Sequence, residues 1–400
     1  MARSWSELPS ELLGVVFLHL RCLADRVYFA AICRSWRSAA AAARARASSA
    51  SPPPQLPWLL LLPSSGAPCF VSLLAGSSLR RLSLPYSAHG ARLCGSHPGG
   101  WVAAAANGWR AYALVHVFSR AWVPLPDRMR LPRHGITTCL ILRAVALSAP
   151  PTSRGGCVAA ALVSGVSNLA FVRPGMDRHW VASDAVNGLQ DILYHHGEVA
   201  QGFHAVTNDE AVTVFVQEGG LPNAHDLRMV SRRYRMQRRP NAPAAWNPSS
   251  PAGAGVSRYL VESRGKLLLV VRHFPSVVQH TSGARGGFEV LELAVEAPLP
   301  SGGEGAASWV ELEDGGLDGR VIFLARGCSR AFEASQFGGF KEGIYFLDDT
   351  SFDVSLALSC GGNFPCGDIG WHSGREIVSG IKGFPSEFQS TFSSPTWFYP

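Results

Sequence analysis

From about residue 58 to the end of the chain, no segment carries a helical apolar stripe. Short apolar runs recur instead, each broken by Gly, Pro, Asn or Asp. "GWVAAAANGWRAYALVHVFSRAWVPLP" (100–126) reads as two strands across an Asn107-Gly108 turn, followed by a third running out through Trp122. "CVAAALVSGVSNLAFVRPGMDRHWVAS" (157–183) repeats the plan, and "GFHAVTNDEAVTVFVQ" (202–217) turns at Asn208-Asp209. "RYLVESRGKLLLVVRHF" (258–274) gives a further hairpin, followed by "FEVLEL" (288–293), "SWVELED" (308–314), "RVIFLARGCSRAFEA" (320–334) and "EGIYFLDD" (342–349). The units recur at about 40–55 residues, the spacing of four-stranded propeller blades. Small sheets with two apolar faces bury them only against neighbours like themselves. The expected fold is therefore mainly β, a propeller-like (kelch-like) array of about six blades; an irregular pair of β-sandwiches is the other arrangement this pattern allows. With 47% hydrophobic and 16% charged residues, the chain has ample material for such a core.

The first 40 residues differ. "LPSELLGVVFLHL" places Pro9 and Glu11 where a helix starts, since proline loses no partner there and a carboxylate complements the positive helix end. Leu12, Leu13, Val16, Phe17 and Leu20 then fall on one helical face. Asp25 reads as the N-cap of a second helix. On that helix Phe29, Ile32, Cys33 and Trp36 share a face, with Arg34 and Arg37 pointing away. The division expected is a helical module over 1–40, an Ala/Ser/Pro linker over 41–57 whose Ala/Arg half can extend the helix, and a β-rich domain over 58–400.

Residues 8–37 resemble an F-box. The matches are Leu8-Pro9, the doublet Leu12-Leu13, Val16, Leu20, Ile32-Cys33, Trp36 and Arg37, two separated blocks in the right order. The β-rich part resembles the large plant F-box family whose C-terminal domain has no established biochemical activity. That resemblance rests on "GCSRAFEASQFGGFKEGIYFLDD" (327–349), "YLVESRGKLLLVVR" (259–272) and the ending "PTWFYP". It implies that the F-box docks the Skp adaptor of a cullin–RING ubiquitin ligase, through Leu8, Pro9, Leu12, Leu13, Val16, Leu20, Ile32, Cys33 and Trp36. The β-rich domain would then recruit a protein target. An adaptor of this kind is no enzyme and needs no cofactor.

The residues offer little other chemistry. Cys33 as a nucleophile would need a lowered pKa, and an apolar helical face raises it instead. Cys360, Cys366 and His372 are spaced too widely for an ordinary zinc site, and no fourth ligand is evident. His195-His196 would face opposite sides of a strand. No P-loop, dinucleotide fingerprint, nucleophile elbow or HExxH motif occurs. A hydrolase on a propeller would need an axial pocket with two or three convergent carboxylates. "RMVSRRYRMQRR" (228–239) concentrates Arg228, Arg232, Arg233, Arg235, Arg238 and Arg239 around Tyr234. It reads as a solvated strand edge protected by charge, as a nuclear-import signal, or as a patch that binds phosphate and stacks a base.

The net charge of +7 is almost all arginine, because Lys266, Lys341 and Lys382 are the only lysines. That balance permits acidic partners without requiring nucleic acid. Nine scattered cysteines, Glu7 and Glu11 in the opening segment and no long apolar run point to a reducing compartment, the cytosol or nucleus, with no membrane span.

Overall fold

The computed structural model describes the chain except residues 1–4, 6–7, 47–53, 77, 86–87, 107–110, 165–166, 198–200, 219–226, 238–254, 275–286, 298–303, 313–315, 349–363, 365 and 374–376. Three helices come first: α1 (Ser10–His19), α2 (Leu23–Ala31) and α3 (Arg34–Arg46). Everything after them is strand and turn.

The strands form six blades around an axis. Blade 1 contains β1 (Trp58–Leu61), β2 (Cys69–Ser72) and β3 (Leu79–Arg81); blade 2 contains β4 (Arg92–His97), β5 (Trp101–Ala106), β6 (Ala111–His116) and β7 (Trp122–Leu125). A hairpin of β8 (Arg128–Leu131) and β9 (Ile136–Cys139) decorates blade 3, whose own strands are β10 (Ile141–Leu147), β11 (Ala159–Ser164), β12 (Leu169–Val172) and β13 (Trp180–Ser183). Blade 4 is β14 (Leu189–His195), β15 (Gly202–Thr207), β16 (Val212–Gln217) and β17 (Met229–Gln237). Blade 5 is β18 (Gly255–Ser263), β19 (Lys266–Phe274), β20 (Phe288–Ala297) and β21 (Gly305–Glu311). Blade 6 follows the order β23 (Arg330–Glu333), β22 (Arg320–Phe323), β24 (Gly343–Phe346), β25 (Gly370–His372), β26 (Ile377–Ser379). The last strand, β27 (Thr396–Phe398), returns to blade 1 and pairs antiparallel with β1, Trp58 opposite Phe398. The C-terminal segment thus closes the ring.

The continuous apolar runs follow from this arrangement. Along β19, Leu267, Leu269 and Val271 pack toward blade 4, while Leu268 and Val270 pack toward blade 6. Along β11, Ala159, Ala161 and Val163 face blade 2, and Ala160 and Leu162 face blade 4. Along β1, Trp58 and Leu60 face blade 2, and Leu59 and Leu61 face blade 6. Alternation is lost because both faces are dry. Each fully buried Leu or Val contributes roughly 1.5–3 kcal/mol, so six such interfaces hold the ring together. The β18–β19 hairpin turns on Arg264 and Gly265, both with positive φ (53° and 74°), as a two-residue turn of this twist requires.

A polar hub ties the blades together at the axis. Asp191 of β14 is fully buried and accepts backbone N–H bonds from Ile192 (2.8 Å), Leu260 (2.9 Å) and Gly327 (2.6 Å). It joins blades 4, 5 and 6 through one carboxylate. Gly327 is needed there, since it has φ +75° and a Cβ would sit 3.0 Å from the Val145 carbonyl of blade 3. Between blades 4 and 5 the buried Arg258 donates to Glu210 at 3.1 Å.

The Asn107-Gly108 turn, Arg238, Arg239 and Cys360 lie outside the described residues. The helical spacing of Phe29, Ile32, Cys33 and Trp36 does not make a single helix: α2 ends at Ala31 and α3 begins at Arg34. Asp25 is likewise inside α2, which begins at Leu23 with Cys22 at its cap. Freed from capping, Asp25 pairs with Arg80 of blade 1 at 2.6 Å.

Candidate docking surface and axial cavity

The three helices build a small core of their own. Leu13 and Phe17 of α1, Phe29 of α2, and Ala39, Ala40 and Ala43 of α3 are buried together. The alanines let α3 approach closely. Leu8, Leu20 and Trp36 pack at the edge, with the Trp36 ring 4.4 Å from Phe29 and its indole N–H donating to the Trp5 carbonyl. Trp36 is therefore committed largely to the module itself.

The five apolar residues of α1 do not share one face. Leu13 and Phe17 point inward, whereas Leu12 and Val16 point out. The physical reason is that α1 is apolar nearly all round, so the stripe read from i, i+1, i+4 spacing straddles two faces. The outward set is large: Leu12 is 53% exposed, Val15 52%, Val16 43%, Val27 55% and Ile32 59%. Val15, three residues after Leu12, and Val27 were not singled out by the sequence pattern, although their spacing carried the signal. Pro9 is exposed and caps α1, its carbonyl accepting from the Leu13 N–H at 3.1 Å.

Cys33 sits at the start of α3 rather than on an apolar face, half-buried, its Sγ 3.0 Å from the Ser35 hydroxyl. That hydrogen bond, then the Trp36 N–H, lowers the thiol below its ordinary range. The expectation of a raised pKa fails because the helix breaks just before it and turns free N–H groups toward the sulfur.

The module is braced against the propeller. Cys22 and Ala24 are buried in the interface of blades 1 and 2, and Cys22 Sγ lies 3.2 Å from the Ser72 hydroxyl. Arg21 donates to the Gly338 carbonyl of blade 6 at 2.5 Å. Gln55 accepts from the Leu23 N–H at 2.7 Å and donates to the Arg21 carbonyl at 2.8 Å. The end of the linker thus clamps the start of α2.

The arginine run does not form one patch. Most of it is β17, which pairs with β16 over 229–233 and with β21 over 234–237. Alternation separates the side chains. Tyr234 is buried with Met236 at its side in the core between blades 4 and 5. Arg232 lies on that same side, half-buried, while Arg233 and Arg235 stand exposed on the other. Arg228 pairs with Glu218 at 3.5 Å, and Arg233 donates to the Ala185 carbonyl. Tyr234 has no face left for a base to stack on.

A cavity of about 530 Å³ opens at the axis, where the inner strands of blades 2 to 6 end. His97, Leu147, Tyr194, Glu262 and Arg330 each come from a different blade. The two carboxylates in its wall do not converge as a catalytic pair. Glu262 meets His195 Nδ1 at 3.2 Å, which with its hydrogen bond holds the Glu262 carboxyl below its usual range; Glu333 meets Arg264 at 2.7 Å. Burial keeps His97 and His204 neutral, pushing them down to about 3 and about 4. His195 is buried against the His204 ring, whereas His196 is exposed against Tyr194. Among the described residues no cluster of His, Cys, Asp and Glu has the arrangement of a metal site, and no helix is long and apolar enough to cross a membrane.

A family model described as "KIB1-4 beta-propeller" matches residues 70–373. The chain belongs to the KIB1-4 beta-propeller family. The KIB1-4 match runs from β2 in blade 1 to the end of β25 in blade 6, and so includes the Asp191 hub and every wall of the axial cavity. The helical module and the closing strand lie outside it. The chain is also similar to the F-box protein At2g17690 of Arabidopsis thaliana, 49% identical over 37 residues, or 9% of this chain and 9% of that protein. The match thus spans under a tenth of that relative's length.

Proposed function

We propose that this chain is the target-recruiting subunit of a Skp–cullin–F-box ubiquitin ligase. The helical module docks the Skp adaptor, and the KIB1-4 propeller holds the protein to be modified. Ubiquitin transfer belongs to the partner subunits, so the chain itself is not catalytic. The compartment is the cytosol, the nucleus or both.

The observation that carries this reading is the outward apolar set on a module whose interior is already full. Leu12, Val15, Val16, Val27 and Ile32 have no place left in the chain's own core. Leaving them wet is unfavourable, and covering half of each side chain contributes about 1 kcal/mol per residue at the rate for apolar burial. The rigid bracing of the module supports the same role. A recruiting subunit must hold its target at a fixed place relative to the adaptor, and Arg21, Asp25 and Gln55 fix that relation. The resemblance of residues 8–37 to an F-box and the similarity to an Arabidopsis F-box protein point the same way.

Co-expression with a purified-grade tagged Skp adaptor tests the proposal. The full chain is expected to co-purify with it stoichiometrically, and the double variant Leu12→Asp, Ile32→Asp is expected to stay folded and lose it. Failure of the wild-type chain to bind any Skp adaptor overturns the reading. The arginine strand gives no comparable support for a nucleic-acid-binding function, because its aromatic residue is buried and its cations face two ways.

A further inference from the structure

We propose that the axial cavity takes a peptide segment of the recruited protein through a carboxylate side chain, with the Arg330 guanidinium as its binding group. The inference rests on the target-recruiting reading above and names the site and the chemistry by which the propeller would do it.

Size and walls fit a peptide. The cavity's 530 Å³ falls within the range of pockets that enclose a small ligand or a few residues of a chain. Leu147, Pro150, Tyr194 and Phe332 supply apolar wall for flanking side chains.

Charge selects the group. Four charged side chains reach the cavity: Glu262, Arg264, Arg330 and Glu333. Three are already engaged. Arg264 is bound by both Glu333 and Asp318, and Glu262 by His195. Arg330 is exposed and has no carboxylate at ion-pairing distance among the described residues. Its guanidinium rests 5.5 Å from the centre of the Tyr399 ring, a cation held on an aromatic face with its N–H edge left for an anion. A guanidinium presents paired donors that match a carboxylate in two parallel bonds.

The platform under Arg330 is fixed before any ligand arrives. Tyr399 donates its hydroxyl to the Cys328 carbonyl at 2.7 Å, and its N–H donates to Ser96 Oγ at 3.2 Å. Preorganisation of this kind lowers the cost of binding. The same wall is tied to the docking module. The chain runs from Arg330 through the short turn Ala334–Gln336 to Gly338, whose carbonyl accepts from Arg21.

The test is a displayed random peptide library panned on the full chain, with single clones then measured as synthetic peptides by fluorescence anisotropy. The expected result is enriched peptides that share an Asp or Glu. Their affinity should fall about tenfold or more when that acid is changed to its amide, or when the protein carries Arg330→Gln. Gln336→Trp, an exposed wall position, should block binding sterically without touching the core. No enrichment, peptides without an acid, or affinities that ignore Arg330→Gln overturn the proposal. Skp-adaptor binding is read on the same preparations. Retained adaptor binding with failed peptide selection sinks the cavity alone, whereas absent adaptor binding sinks the reading beneath it.

Discussion

Replacing Asp191 by Asn removes a charge and one acceptor from the axis while leaving its shape. Three backbone N–H groups converge on this carboxylate, from Ile192, Leu260 and Gly327. The Asn oxygen serves one or two of them, and its amide group must then point hydrogens at the other. At least one buried N–H is left without an acceptor, which costs about 1–3 kcal/mol. The pH dependence separates two accounts of the site. Burial pushes the Asp191 carboxyl up to about 7, against the downward pull of Arg326 and of the three N–H donors. An unfolded Asp titrates near pH 4. Between about 4 and about 7 the native state therefore holds the proton more tightly than the unfolded chain. Wild-type stability should fall as pH rises through that window, and the Asn variant should lack this slope. The penalty of Asp191→Asn is thus expected to be largest near pH 5 and to shrink toward pH 7.5. Urea unfolding followed by tryptophan fluorescence at several pH values gives both curves. A penalty that grows with pH would refute the reasoning, because it would mean that the carboxylate is ionised and that Arg326 and the N–H donors outweigh burial.

Further perturbations follow from the same structure. Glu210→Ala strands the fully buried Arg258 guanidinium and should cost about 3–5 kcal/mol, whereas replacing both by apolar residues should cost much less, as unfolding curves would report. Trp397→Ala in the closing strand empties a site in the interface of blades 6 and 1 and removes a 3.1 Å bond to the Leu324 carbonyl. A loss of roughly 3–5 kcal/mol is expected, with early loss of protection in blades 1 and 6 by hydrogen exchange. Iodoacetamide at neutral pH should modify Cys33 well before Cys94 and Cys328, since burial pushes those thiols up, Cys328 to about 12. Mass mapping of the labelled peptides checks the order.

The blades were legible because their chemistry is local. A run such as "KLLLVVRHF" has apolar residues on both faces, and only burial between two neighbours accounts for that. The Arg264-Gly265 turn needs two positive φ angles and occurs at the point where the run divides. What was not legible depends on partners distant in sequence. The docking residues Leu12 and Leu13 are adjacent and chemically identical, and only the position of α3 decides which is buried. The break between Ala31 and Arg34 has no Pro or Gly to announce it. It is set by the packing of Ala39, Ala40 and Ala43 on α1, which turns α3 away from the line of α2. Phe29 and Trp36 still meet, but across two helices instead of along one. The axial groups show the same limit. Asp191, Glu262 and Arg330 are unremarkable polar residues in their own segments. Their arrangement appears only when the ring closes and brings the ends of five inner strands around one cavity. The arginine run erred in the other direction. Its composition implied a shared surface, and strand alternation divided it.

The central claim is that the outward apolar set of α1 and α2 is the surface that meets the Skp adaptor. Amide hydrogen exchange on the full chain, with and without saturating adaptor, tests it most directly. The account predicts new protection confined to residues 8–37, with the propeller blades unchanged. Protection on the blades instead, or none anywhere, would contradict it.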